Sequence, residues 1–117
     1  AQTGIKSLDV TIDCDNLDAR KLGTMGIPAR FDLCNIEGFE DTNGTMHPAE
    51  DVREAISALG FPIEDAVKDK PSIRLKIDKM FTRLLTGFPG NNNFILTVTE
   101  NNGLSTTKTL KYYVPAN

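Results

Sequence analysis

Few side chains in this chain are of a type that could do covalent chemistry. His47 is the only histidine. As a general base it would need a nucleophile within hydrogen-bond reach and a partner to orient its ring. The serines offer little. Ser7 adjoins an expected strand, Ser57 lies in an expected helix, Ser72 starts a strand and Ser105 follows a turn. None stands in the Gly-x-Ser-x-Gly pattern that exposes a nucleophile on a strand-to-helix turn. His47 therefore reads as a solvated residue at the start of a helix, and no catalytic residue is assigned.

Carboxylates come in close pairs: Asp13 with Asp15, Glu37 with Glu40 and Asp41, Glu50 with Asp51, Glu64 with Asp65. Glycoside hydrolysis would need two of them held at a defined separation across a cleft. Their neighbours instead read as loops and helix starts, which makes them solvated faces. Hard oxygen ligands for calcium gather at Asp13, Asp15 and Asn16, and again at Asp41 and Asn43 beside Gly44. Neither group has the spacing of an EF-hand loop. Helix capping by Asp15 or Asn16 and a turn over Asp41 to Gly44 use the same residues. Asp13, Asp15, Asp41 and Asn43 stay calcium candidates, and no metal or other cofactor is assigned. No Cys/His spacing suggests zinc, and no glycine-rich loop suggests a phosphate cradle.

The two cysteines are Cys14 and Cys34. Cys14 continues the Leu8, Val10, Ile12 face and is expected inward; Cys34 shares its parity with Arg30 and Asp32 and is expected outward. Two free thiols are preferred to a disulfide, since small stapled domains carry more cysteines. Asn43-Gly44-Thr45 matches a glycosylation sequon, which the turn reading also explains.

The 117 residues make a single domain, 1–117, large enough to bury a real core. Hydrophobic content of 39% with 25% charged residues argues against disorder. A net charge of −3 with scattered Lys and Arg argues against nucleic acid as a partner, which would call for a clustered basic face. No apolar run reaches the ~18 residues of a membrane-spanning helix. The first residues do not resemble a signal peptide, and a domain excised from a longer chain is expected.

Alternation predicts a first strand over Leu8–Asp13, extendable to Ile5. A short helix over Leu17–Leu22 follows, capped by Asp15 or Asn16, with Gly23 left-handed at its end. Ile27 to Leu33 is the second strand, and Pro28 puts it at a sheet edge or makes Pro28 its first residue. Residues 37–47 form a polar surface loop. Pro48–Leu59 is a helix with Pro48 at its first helical position, Val52, Ala55, Ile56 and Leu59 inward, and Gly60 closing it. Ser72–Ile77 is a third strand, and a two-turn helix over 78–86 follows Asp78.

The last quarter of the chain is a long antiparallel hairpin. A two-residue Asn-Gly loop would pair even positions with odd ones. A three-residue loop, Asn101 to Gly103 with Gly103 left-handed, pairs even with even. The second register sets Phe94, Leu96, Val98, Leu110 and Tyr112 on one inward face and buries more apolar surface. Leu104 is counted with the return strand. Tyr112 and Tyr113 then point to opposite faces, with Tyr113 outward.

The pattern Thr97-Val98-Thr99-Glu100-Asn101-Asn102-Gly103-Leu104-Ser105-Thr106-Thr107-Lys108-Thr109-Leu110 resembles the last two strands of bacterial immunoglobulin-like and PKD-like modules. More narrowly, Phe31-Asp32-Leu33, Leu59-Gly60-Phe61-Pro62, and Ile73 to Leu85 leading into the hairpin make the chain look like an uncharacterised domain of Bacteroidetes surface lipoproteins. The resemblance implies a mainly β, antiparallel immunoglobulin-like β-sandwich with two or three short helices in its connections. An α+β sheet with helices on one face is the alternative. It further implies a non-catalytic structural or recognition module at the cell surface of a Gram-negative bacterium. Its partners would be neighbouring domains of the same chain, one of them carbohydrate-related. An adhesin-type module with its own glycan or protein site in the 35–47 loop is the alternative function. No lipoprotein anchor cysteine precedes Cys14, which accords with an excised domain.

Overall fold

The computed structural model describes residues 4–71 and 87–116. The expected strand over 72–77 and helix over 78–86 lie outside the described residues. What is described is mainly β, with antiparallel sheets and few helices. Among the described residues the main sheet has four strands in the order β2-β1-β5-β6: β1 (Ile5–Cys14), β2 (Arg30–Asp32), β5 (Gly90–Glu100) and β6 (Ser105–Val114). A small sheet pairs β3 (Phe39–Glu40) with β4 (Met46–His47). The helices are α1 (Ala19–Thr24), α2 (Ala49–Ala58) and a 3₁₀ turn at Glu64–Ala66.

Period-two alternation decides which face of the main sheet is dry. Val10 pairs with Leu96, Leu8 with Val98 and Ile12 with Phe94, so the even-numbered apolar residues of β1 and β5 share a face. That face meets Leu22 of α1, Val52 and Ile56 of α2, and Val67, all in one core. The helices occupy the side of the sheet where a packed layer is needed, while Asp9, Thr11, Thr97 and Thr107 lie on the opposite side. Two hydroxyl pairs, Thr97–Thr107 at 3.1 Å and Thr99–Ser105 at 3.0 Å, tie β5 to β6 on that polar side.

The long hairpin takes the three-residue register. Phe94 faces Leu110, Asn92 faces Tyr112 and Val98 faces Thr106. The Glu100 N–H donates to Leu104 O, the Gly103 N–H to Glu100 O, and Gly103 has a φ of +91°. Tyr112 packs on the core and Tyr113 is exposed. Leu104 belongs to the turn instead of the strand and is exposed, because the strand begins only after the closing hydrogen bond.

Other expectations are corrected. Helix α1 starts two residues later than expected and is capped by Asp18, whose Oδ1 accepts the Lys21 N–H at 2.9 Å. Asp15 is not free to cap it, since Oδ2 accepts the Asn91 N–H at 2.8 Å at the start of β5. Gly23 is inside the helix, and Gly26 is the left-handed residue beyond it. The second strand shrinks to three residues at the sheet edge, although Ala29 O still accepts the Ile12 N–H. Pro48 is the N-cap of α2, not its first helical residue. Cys34 is partly buried against the core, because the chain turns at Asn35 N–H to Asp32 O and strand parity ends there. Both cysteines are free.

Candidate functional site

The loop expected over residues 37–47 is an ordered hairpin. Its turn runs from Asp41 to Thr45: the Asp41 N–H donates to Thr45 O at 2.9 Å and the Gly44 N–H to Asp41 O at 3.0 Å. Gly44 supplies the left-handed residue, with a φ of +84°. Oδ1 of Asp41 accepts the N–H groups of Asn43 at 2.8 Å and Thr45 at 3.0 Å, the Asx-type bonding that Asp favours in turns. Oδ2 pairs with His47 Nε2 at 2.8 Å. The Asp41 side chain is 4% exposed and that of His47 18%. The His47 hydrogen bond, then the Thr45 amide, hold the Asp41 carboxyl below the usual carboxylate range.

This hairpin is seated on α1. A Cβ on Gly23 would stand 2.7 Å from Asp41 Cβ, so glycine there permits the close approach. Gly38 does the same on the other side, where a Cβ would come 2.7 Å from His47 O. The Phe39 and His47 rings, opposite one another across the two strands, stack with centroids 4.9 Å apart and planes at 19°. His47 is thus an orienting residue within a folded cluster, not a solvated one. Among the described residues its side-chain partners are Asp41 and Phe39, neither of which is a hydroxyl nucleophile.

Phe39 also borders a cleft of about 390 Å³ whose other lining residues are Asp9, Pro28, Arg30, Phe31, Asp32, Asn35, Glu37 and Gly38. Its volume falls in the range of small-ligand sites. Strand β1 contributes Asp9, Pro28 precedes the edge strand β2, β2 contributes Arg30 to Asp32, the chain between β2 and β3 supplies Asn35, Glu37 and Gly38, and Phe39 begins β3. Asp9 and Asp32 stand directly opposite in the ladder, an unfavourable pairing of like charges. Asp32 offsets it: Oδ1 accepts the Leu8 N–H at 3.0 Å and the Cys34 N–H at 2.9 Å. Glu37 accepts from Asn35 Nδ2 at 3.3 Å. The Arg30 side chain forms no ion pair with a described residue; the pairs present are His47–Asp41 and Arg53–Glu64.

The calcium candidates do not converge into a ligand set. Asp15 is bound to Asn91, Asp41 to its turn and His47, Asn43 donates its N–H within that turn, and Asp13 faces Asn93 across the ladder. Among the described residues no group of three or more His, Cys, Asp or Glu could hold a metal ion. No helix among them is long and apolar enough to cross a membrane. Burial raises the thiols of Cys14 and Cys34 to about 11 each, which makes them poor nucleophiles at neutral pH.

Comparison with protein-family models, curated proteins and solved structures finds no match for this chain. No binding residue is assigned from sequence; the 35–47 loop, the site of the alternative adhesin-type reading, gives its first part to the cleft. Sequence reading missed Asp9, Pro28 and Arg30 to Asp32, which come from β1, β2 and the residues just before β2. Only the pairing of β2 with β1 brings them together.

Proposed function

We propose that this chain is a non-catalytic recognition module of a bacterial cell-surface protein. It would be an immunoglobulin-like sandwich of the kind found in Gram-negative surface lipoproteins, working beside further domains of the same chain. The resemblance of the 94–114 hairpin supports the family reading, and the antiparallel sheet carrying that hairpin at its edge accords with it. The observation that carries recognition is the cleft between β1, β2 and Phe39, where charged groups of both signs and aromatic carbon meet in one concavity.

The test is an array carrying glycans and peptides, probed with the wild-type chain and with an Asp9→Ala/Glu37→Ala variant whose circular dichroism matches wild type. Saturable binding lost in the variant is expected. Absence of saturable binding, or binding equal in both proteins, would leave a structural spacer in place of a recognition module.

A further inference from the structure

The composition of the cleft narrows what it can hold. Arg30 offers guanidinium donors and forms no ion pair with a described residue. Asp9 and Glu37 offer carboxylate acceptors in the same concavity. Oδ1 of Asp32 is already committed to two backbone N–H groups. An anionic ligand would meet the carboxylates, and a cationic one would meet Arg30. Each would bury a like-charge contact, which is costly where water is displaced. A hydroxyl both donates and accepts, so it can satisfy a carboxylate and a guanidinium at once. Pro28 and Phe39 add carbon to the lining and Asn35 adds an amide, while Phe31 is mostly turned into the core.

Phe39 is held from behind. Its ring stacks on His47, and His47 is fixed by Asp41, whose second oxygen is locked to the turn amides. Phe39 also packs partly against the core, and an aromatic fixed before binding loses little entropy on contact. From these groups together we infer that the cleft binds a neutral sugar unit, with Phe39 as the platform for its C–H face and Asp9, Glu37 and Arg30 meeting its hydroxyls. His47 is a positioning residue: it sets the platform and does not touch the sugar. This rests on the recognition reading above and assigns its ligand class.

The experiment is a heteronuclear NMR titration of the whole chain with four neutral probes, namely maltotriose, cellotriose, chitobiose and mannobiose. Trigalacturonate and trilysine are the anionic and cationic arms. The expected result is saturable shifts at Arg30, Glu37 and Phe39 with at least one neutral probe. Phe39→Ala should then weaken binding by about tenfold, the order of one lost aromatic contact. His47→Ala should weaken it too, while His47→Phe, which keeps a stacking ring, should bind close to wild type. Shifts at the cleft with only a charged probe would overturn the sugar assignment and leave recognition standing. No shift at the cleft with any probe would overturn the sugar assignment, with recognition judged separately by the array. Equal affinity in wild type and His47→Ala would overturn the positioning role.

Discussion

The two hairpins among the described residues close on the same turn and are held together by different forces. In the long one, Glu100 N–H bonds to Leu104 O, the Gly103 N–H returns to Glu100 O, and Gly103 is left-handed. In the short one, Asp41, Thr45 and Gly44 repeat that pattern bond for bond. The long hairpin continues from its turn into ladders running from Gly90 to Thr99 and from Ser105 to Val114. The short one has only two ladder pairs, Phe39 with His47 and Glu40 with Met46. Two pairs are too few to hold strands together in water. Its order comes from the Asp41 carboxylate, the Phe39–His47 stack and the close seat on Gly23. The long hairpin is a scaffold stabilised by burial. The short one is a mount stabilised by side-chain contacts, and the candidate cleft lies on the mount's side.

That division predicts unequal consequences of damage. The largest should come from Phe94→Ala, which empties a position 1% exposed, between Ile12 and Leu110 in the ladder. A loss of about 3–5 kcal/mol is expected in chemical denaturation, enough to unfold a marginal domain. A loss below about 1 kcal/mol would mean that β5 is not the core strand. Next come the turn glycines, which test the two hairpins with one substitution. A Cβ at Gly103 or Gly44 meets nothing within 4 Å, so only the positive φ resists alanine. The strain should be about 1–2 kcal/mol at each. At Gly103 it should appear in full as lost global stability, because the scaffold cannot shed its turn without shedding the sheet. At Gly44 the midpoint should hardly move, while the Asn43 and Thr45 amides lose hydrogen-exchange protection. Equal global losses at both positions would erase the distinction between scaffold and mount.

The scaffold was legible in the sequence for the same reason that it is stable. Its register follows from apolar alternation over ten-residue strands and from one glycine, and both are local features. The mount was not legible. Two-residue strands have no periodicity to read, and Asp41 to Thr45 looks like any polar turn until His47 and Gly23 are placed around it. Helix α1 shows the same limit on a smaller scale. Asp15, Asn16 and Asp18 are all competent N-caps. What removes Asp15 is an amide 76 residues away, at Asn91. Asn16 is likewise diverted, its Nδ2 donating to Pro89 O. Cys34 was misplaced because parity is carried only as far as the strand runs, and β2 stops at Asp32. The cleft fails to appear for a related reason. Asp9 and Arg30 are ordinary outward residues of their strands, and only the edge pairing of β2 sets them beside Phe39.

The smallest effect, and the one most specific to the mount, is its response to acid. Asp41 is held below the ordinary carboxylate range chiefly by the His47 hydrogen bond, with the Thr45 and Asn43 amides adding to it. A carboxyl depressed in the folded state stabilises that state fully above its unfolded pKa of about 4. The contribution is lost as pH falls through the lower folded value, where the folded form must also take up the proton. The short hairpin should therefore survive acidification through pH ~4 and open only below it, seen as loss of the Asn43 and Thr45 amide protection. The long hairpin closes through the Glu100 and Gly103 N–H groups on backbone carbonyls, which do not titrate, and should keep its protection over the same range unless the whole domain unfolds. His47→Phe separates the two supports of the mount, because it keeps a ring for Phe39 and deletes the hydrogen bond to Asp41. In that variant the Asp41 carboxyl should titrate nearer its ordinary range, and the hairpin should open at a higher pH than in wild type. An unchanged Asp41 titration in His47→Phe would show that the turn amides alone hold the carboxylate, and that His47 serves Phe39 only.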